Sequence, residues 1–313
     1  MSVVGKGYAK VILFGEHFVV YGLPGIASAL DKFVQVEVQK VKDSDDVVFD
    51  DKVFKEKVSM KENSEHIKCK LFNAMFKEEE FVQKKGIKFM INSTFSPGGG
   101  MGYSAALNVG IARAMNNLFE LGWKDEKINE VGYKGECISH GAPSGIDNTC
   151  ATYGSLVWFE KNMEGGKNKI KPFKTGKPLL LVIVDTGIKH DTKEAVAGVK
   201  KRKEENPEEY KKIFSEAKKI VAKAKKELSY GGIQEIGKLM NQNQELLKKI
   251  GVSSPEIEQI IKISLYEGAL GAKLTGAGCG GNVLVLCENE AQQNKIIVSL
   301  QTKGFRAIKA KIN

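Results

Sequence analysis

Proline is scarce in this chain, 7 residues in 313, so proline-rich linkers have little material to form from. Cysteine is equally sparse: Cys69, Cys137, Cys150, Cys279 and Cys287 include no CxxC pair, which argues against a zinc cluster or a disulfide framework and favours reduced thiols. No apolar run approaches the ~20 residues that a membrane-spanning helix needs. The opening Met1-Ser2-Val3-Val4-Gly5-Lys6 has neither the apolar core of a secretory signal nor an arginine-rich transit pattern, so the cytoplasm is the expected location. What remains is ordinary globular material, 42% hydrophobic and 27% charged. That excludes a wholly disordered or fibrous chain, and the length suits two domains of roughly 100–200 residues each.

Lysine and arginine number 48 against 38 acidic residues, a formal charge of +10, which by itself suits nucleic acid, a membrane surface or small anions. The distribution narrows this. The densest basic run, Lys200 to Lys226, is interleaved with Glu204, Glu205, Glu208, Glu209 and Glu216. Its apolar residues Tyr210, Ile213, Phe214, Ala217, Ile220, Val221 and Ala224 recur at helical spacing. This describes an amphipathic helix with a solvated face of mixed sign, opened by Asn206-Pro207, and no nucleic-acid or membrane partner is expected.

Strand patterns at Ala9 to Phe14 and Phe33 to Val41 begin a sheet, and Ile87, Phe89 and Ile91 alternate up to Phe95. A glycine turn follows, then a helical run from Ser104 to Leu121. The polar stretch from Glu160 to Lys177 breaks the pattern, which places a domain boundary there and predicts domains 1–175 and 176–313. Beyond it the pattern predicts a strand (Leu179 to Val184), helices near 207–228, 233–250 and 255–268, a strand (Asn282 to Leu286), a helix, and a final strand near Phe305 to Ile308. This is an α+β arrangement.

Gly98-Gly99-Gly100-Met101-Gly102 places four glycines in five residues directly before a helix, so backbone N–H groups and the positive helix end can face an anion such as phosphate. The Walker A pattern is absent, and Tyr103 stands where a dinucleotide fingerprint needs its third glycine. Gly102-Tyr103-Ser104-Ala105-Ala106 is a possible nucleophile elbow, with Asp185 and His190 following in hydrolase order. A turn that merely permits close packing is the remaining reading. The second cluster, Gly276-Ala277-Gly278-Cys279-Gly280-Gly281, fits GxGxxG literally but precedes a strand, which argues against a dinucleotide site.

Taken together, Lys10 to Gly22, Gly98 to Ala106, Pro143 to Thr149 and Gly271 to Gly281 resemble the motifs of the GHMP kinases, in the form found in mevalonate kinases, and in family order. Phe14-Gly15-Glu16-His17 and Ser144-Gly145-Ile146-Asp147-Asn148 are the specific segments. The short chain and the run Asn148 to Gly154 look like the protist branch. The resemblance implies a two-domain fold, the N-terminal domain similar to the second domain of ribosomal protein S5 and the C-terminal one ferredoxin-like. It also implies transfer of phosphate from ATP, with Mg²⁺, to the 5-hydroxyl of mevalonate.

Residue by residue, it implies Asp147 as catalytic base with Lys10 beside it. Gly98, Gly99, Gly100, Met101, Gly102, Tyr103, Ser104 and Ala105 fall on ATP, and Ser104 and Glu136 on the metal. Glu16, His17, Lys161, Thr275, Gly276, Ala277 and Gly278 fall on the substrate, and the adenine contacts within the stretch from Asp43 to Lys85. Two positions depart from the family: Tyr103 replaces the first serine of the second motif, its ring expected at the loop edge or beside the adenosine, and Cys279 replaces a glycine. Without the resemblance, Asp147 reads as an Asx-turn residue, Glu136 as a solvated helix glutamate and His17 as a core histidine. His66 and His140 read as surface or structural, and Met240 to Gln244 as either a cleft lining or an exposed helix face. A homodimer stays open.

Overall fold

The computed structural model describes residues 2–79, 86–189 and 191–313. They form two compact units, one of residues 1–10 and 32–154, the other of 11–31 and 155–313. This differs from a single cut after residue 175 because the first two strands, β1 (Ser2–Phe14) and β2 (Gly25–Val41), each carry residues of both units.

The first unit continues with β3 (Val47–Asp51), β4 (Glu56–Ser59), α1 (Ile67–Phe76), β5 (Gly86–Ser93), α2 (Tyr103–Phe119), α3 (Asp125–His140) and α4 (Ile146–Tyr153). Its strands lie in the order β4-β3-β5-β2, with β1 on β2. The alternation read from the sequence is the register: Val34, Val36 and Val38 are buried opposite Ser93, Ile91 and Phe89 of antiparallel β5, as β-branched residues on a pleated, one-sided face should be. Phe49 of β3 stacks on Phe89 at 5.0 Å and meets Phe72 of α1 edge-on. Helix α2 lies close against β1. A side chain at Gly5 or Gly7 would meet the carbonyl oxygens of Gly110 or Ala106 at 2.2 and 2.1 Å, so only glycine lets the helix approach this near.

The second unit holds β6 (Leu156–Glu160), β7 (Lys169–Phe173), β8 (Leu179–Asp185), α5 (Thr192–Glu205), α6 (Pro207–Tyr230), α7 (Ile233–Lys249), α8 (Pro255–Tyr266), β9 (Gly271–Thr275), β10 (Asn282–Cys287), α9 (Glu290–Gln301) and β11 (Arg306–Ile312). Strands β11-β8-β10-β9 form an antiparallel sheet. Val182, Val184, Val283 and Val285 from it join Ile213, Leu247 and Ile257 from the helices in one core. The polar stretch at 160–177 is not a linker: Lys169 to Phe173 pair with Glu160 to Leu156 as an edge strand, where charged residues are at home. Helix α6 begins at Pro207 as expected, and its stripe of Tyr210, Ile213, Ala217, Val221, Ala224 and Leu228 is buried. Asn206, however, makes no side-chain cap; its amide donates to the carbonyl of Arg202 in the preceding helix α5. Among the described residues no helix is long and apolar enough to cross a membrane.

Candidate active site

In the first unit Lys10, on β1, places its ammonium 3.0 Å from Oδ1 of Asp147, in the first turn of α4. The backbone N–H of Lys10 donates to the carbonyl of Met101 at 2.8 Å, so the same strand residue fixes the glycine turn. Burial works against the charge on Lys10. The adjoining Asp147 carboxylate, by charge and hydrogen bond, with smaller help from Cys150 and Glu136, outweighs it and holds the lysine above its ordinary pKa. The pair sets an almost enclosed amine against Asp147, whose side chain is about one-third exposed.

Glu136, on α3, is almost wholly buried, not the solvated helix residue that its position alone suggests. Asn108 Nδ2, one turn along α2 from Ser104, donates to Glu136 Oε1 at 2.9 Å. Burial pushes the Glu136 carboxyl up, the charge of Asp147 adds to that, and hydrogen bonding from Ser104 and Asn108 together with the His140 ring opposes it. Ser104 Oγ lies 3.1 Å from Nε2 of His140. The imidazole is thus part of the group rather than a bystander, and the signal for it was the Glu136/His140 spacing of one helical turn. Among the described residues no three His, Cys, Asp or Glu side chains form a cage for a metal ion. The set that is present, one hydroxyl and one buried carboxylate close to a second, is a normal protein share for Mg²⁺, whose remaining positions are taken by water and phosphate oxygens.

Helix α2 opens on Gly102, in the left-handed conformation (φ 70°), with no side-chain cap, so its positive end is offered outward. A side chain at Gly98 or Gly100 would meet nothing within 4 Å, whereas one at Gly102 would stand 3.4 Å from Asp147 Oδ2 and 3.6 Å from Lys10. Open space at the tip removes close packing as the reason for these glycines, and the base of the turn borders the Lys10–Asp147 pair. Tyr103 turns its ring onto Phe54 and Phe95, with centroids 5.7 and 5.8 Å away. Its hydroxyl is buried without a hydrogen-bond partner, and burial raises its pKa. Tyr103→Phe is expected to raise thermal stability, by up to about 1 kcal/mol, because it removes a desolvated hydroxyl that gains nothing; a loss of stability in a melting experiment would contradict this. Phe54 lies in the stretch expected to contact adenine, of which residues 80–85 are outside the described set.

In the second unit Glu16 and Lys273 form an ion pair with no exposed side-chain surface. Asn243 Nδ2 also donates to Glu16 Oε2 at 3.2 Å, and burial lowers the pKa of Lys273 against the pull of Glu16. Glu16 is therefore internal rather than a surface group. His17 donates from Nε2 to the carbonyl of Ala277 at 2.8 Å. Thr275 both accepts from the Ile12 N–H and donates to the Ile12 carbonyl, each at 2.9 Å. These contacts seat the third glycine segment. Within it Gly276 is open, but a side chain at Gly278 would strike the Val252 carbonyl at 2.2 Å, so that glycine serves packing. Cys279 adopts φ 56°, a conformation that costs a non-glycine residue ~1–2 kcal/mol. Cys279→Gly should fold normally and gain up to about 1 kcal/mol in a denaturant titration, part of the relief being cancelled by the freer unfolded chain; a clear loss would show that the thiol contributes packing of its own.

Lys161 is exposed, in the turn between β6 and β7. Met240 to Gln244 is not a simple exposed face. Asn241 Oδ1 accepts from the Ala272 N–H and Gln244 Oε1 from the Leu274 N–H, at 2.9 and 3.0 Å, clamping β9 to α7. Asp185 accepts from the Gly187 N–H within its own turn, and His190 lies outside the described residues.

The chain matches the GHMP kinases N terminal domain over residues 66–155 and the GHMP kinases C terminal region over residues 222–306. It is 36% identical to the mevalonate kinase of Pyrococcus furiosus over 323 aligned positions, which cover 97% of this chain and 94% of that protein. The crystal structure of L. major mevalonate kinase in complex with R-mevalonate superposes with a TM-score of 0.89 at 32% identity, covering 99% of this chain and 96% of the other. The Methanococcus jannaschii mevalonate kinase structure gives 0.86 at 27% identity, over 100% and 99% of the two chains. With two family regions in order, motifs at both ends and full-length similarity to mevalonate kinases, the chain belongs to the GHMP kinase family.

Proposed function

We propose that this protein is an ATP-dependent kinase that phosphorylates the 5-hydroxyl of (R)-mevalonate to 5-phosphomevalonate, an early step towards isoprenoids. The observation that carries the reading is the Lys10–Asp147 pair bordering the base of an open glycine turn at the start of α2. Asp147 accepts the hydroxyl proton, and the Lys10 ammonium beside it steadies the developing alkoxide. The turn and the uncapped start of α2 hold phosphate oxygens through backbone N–H groups. Phosphoryl transfer of this kind depends mainly on positioning and charge neutralisation, which a lysine, a helix end and a carboxylate base supply without a covalent intermediate.

Ser104 and Glu136 would hold Mg²⁺, which neutralises phosphate charge when bound. In the second unit His17 and the segment Thr275 to Gly278 contact the acceptor. Glu16 acts one step removed, holding its neighbourhood through Lys273. With the Nε2 proton of His17 committed to Ala277, a bond between the Nδ1 of a neutral ring and mevalonate would be one that His17 accepts. Lys161 is assigned to the substrate carboxylate on resemblance alone, and a lysine there makes a single-point contact. The boundary between family domains is proposed at 175, in the interval between the two matched regions. A cytoplasmic location and a homodimer belong to the same proposal, and light scattering tests the latter.

The Ser104–His140 contact invites a hydrolase reading. In a catalytic triad, however, the acid holds the ring nitrogen opposite the nucleophile, whereas here Glu136 approaches the same Nε2, at 3.9 Å. Labelling with a fluorophosphonate is therefore expected to leave Ser104 unmodified, and stoichiometric labelling would revive the hydrolase. The loop assignment has its own test. Gly102→Val forces a branched side chain into the left-handed region against Asp147 and Lys10, and should abolish turnover. Tyr103→Ser should keep most activity with a lower melting temperature from the lost ring contacts. An active Gly102→Val beside a dead Tyr103→Ser would overturn the phosphate-cradle role of this segment.

A further inference from the structure

His140 has no part in the transfer described above, yet it is built into the group that would hold the cation. Its Nε2 lies 3.1 Å from Ser104 Oγ and 3.9 Å from Glu136 Oε2. The three side chains come from the first turn of α2 and the last turn and a half of α3. Glu136 is 2% exposed and the His140 side chain 58% exposed, so the carboxylate forms the floor of the cluster and the imidazole its solvent edge. Adjacent donors around an octahedral cation with bonds of ~2.1 Å are about 3 Å apart, the separation found between Ser104 and His140.

We propose that His140 is a third protein donor of the divalent-cation site, adding a ring nitrogen to the oxygens of Ser104 and Glu136 and so extending the site's preference from Mg²⁺ towards Mn²⁺ and Co²⁺. The inference rests on the kinase reading given above. Its chemical basis is the contrast in ligand taste: Mg²⁺ favours oxygen donors and keeps its waters, while Mn²⁺ and Co²⁺ bind the same oxygens and also take imidazole nitrogen, more strongly in that order. A site built for Mg²⁺ alone gains little from a histidine at this edge. The helix spacing of Glu136 and His140, one turn apart, aims both at a single point, and Ser104 meets them there.

The test is Mn²⁺ binding to the full-length protein together with the methylene-bridged ATP analogue AMPPCP, which carries no bridging nitrogen. Affinity is read by the free-Mn²⁺ electron paramagnetic resonance signal, and donor identity by ¹⁴N modulation of the bound ion's spin echo. Wild type should show imidazole nitrogen coupling. His140→Ala should lose that coupling and bind Mn²⁺ about 10-fold more weakly or worse, while its Mg²⁺ affinity, by competition, changes less than about twofold on the oxygen-donor argument. His140→Gln, which retains a hydrogen-bonding partner for Ser104, should fold like wild type and still lack the coupling. A wild-type protein that binds Mn²⁺ without imidazole coupling, or equal losses of Mn²⁺ and Mg²⁺ in His140→Ala, overturns the proposal. Glu136→Gln separates the two levels of argument. If it binds Mn²⁺ as wild type does, the cation site itself is misplaced and the His140 proposal falls with it. If it loses Mn²⁺ while wild type shows no nitrogen coupling, only the His140 proposal fails.

Discussion

Asp147→Asn should lower turnover by about 10²–10⁴-fold, the usual worth of a positioned general base, while the affinity for ATP stays within a few-fold of wild type. The substitution is isosteric and keeps an oxygen for Lys10, so the first turn of α4 and its contact with β1 are preserved. What is lost is the ability to take the acceptor proton. The measurement is kcat beside a direct ATP titration of the same preparation. Near-normal turnover would remove Asp147 from the chemistry, and parallel loss of turnover and ATP binding would assign it to the donor instead. Lys10→Met should act on kcat as well, because it withdraws the positive charge beside Asp147 and the developing alkoxide, and it should destabilise the fold less than it slows the reaction.

The second large effect is on stability. Lys273→Met should cost roughly 3–5 kcal/mol, because it leaves Glu16 as an unpaired carboxylate in a site without solvent. The arithmetic is unlike that of the surface pairs, such as Lys200 with Glu204, where removal should change stability by less than about 1 kcal/mol. Glu16→Gln with Lys273→Met should recover much of the loss, since replacing both charges of a buried pair is often neutral. Chemical denaturation of the two single variants and the double variant forms a closed cycle. If Lys273→Met unfolds at the wild-type midpoint, the pair is not what seats Glu16 and His17 at the start of their segment.

These two cases also show how much the chain disclosed before its fold was in view. The segments around Asp147 and Ser104 stand out because their information is local, a glycine at a helix start with a polar residue just inside it, but the roles given to those residues come from the family resemblance and not from the spacing. The β2 and β5 alternation was legible for the same reason, since one face is buried and the period is two. The Glu16–Lys273 pair was not, because its members are 257 positions apart and each looks like an ordinary charged residue. Asn241 and Gln244 misled for a related reason. Polar side chains on a helix suggest solvent, but these satisfy backbone N–H groups of β9 in the interior. Strand β7 was hidden because an edge strand can be as polar as a linker. His140 is largely exposed, as a surface histidine should be, but its contact with Ser104 joins residues 36 positions apart, which its one-turn spacing from Glu136 could not disclose.

Phosphoryl transfer to one particular alcohol is tested directly by ³¹P detection of product when the purified protein is supplied with ATP, Mg²⁺ and, in parallel, mevalonate, galactose or homoserine. The account predicts 5-phosphomevalonate formed with one equivalent of ADP, no comparable product from the other two, and none from Asp147→Asn. Product from galactose or homoserine with none from mevalonate, or ATP-independent turnover of mevalonate, would contradict it.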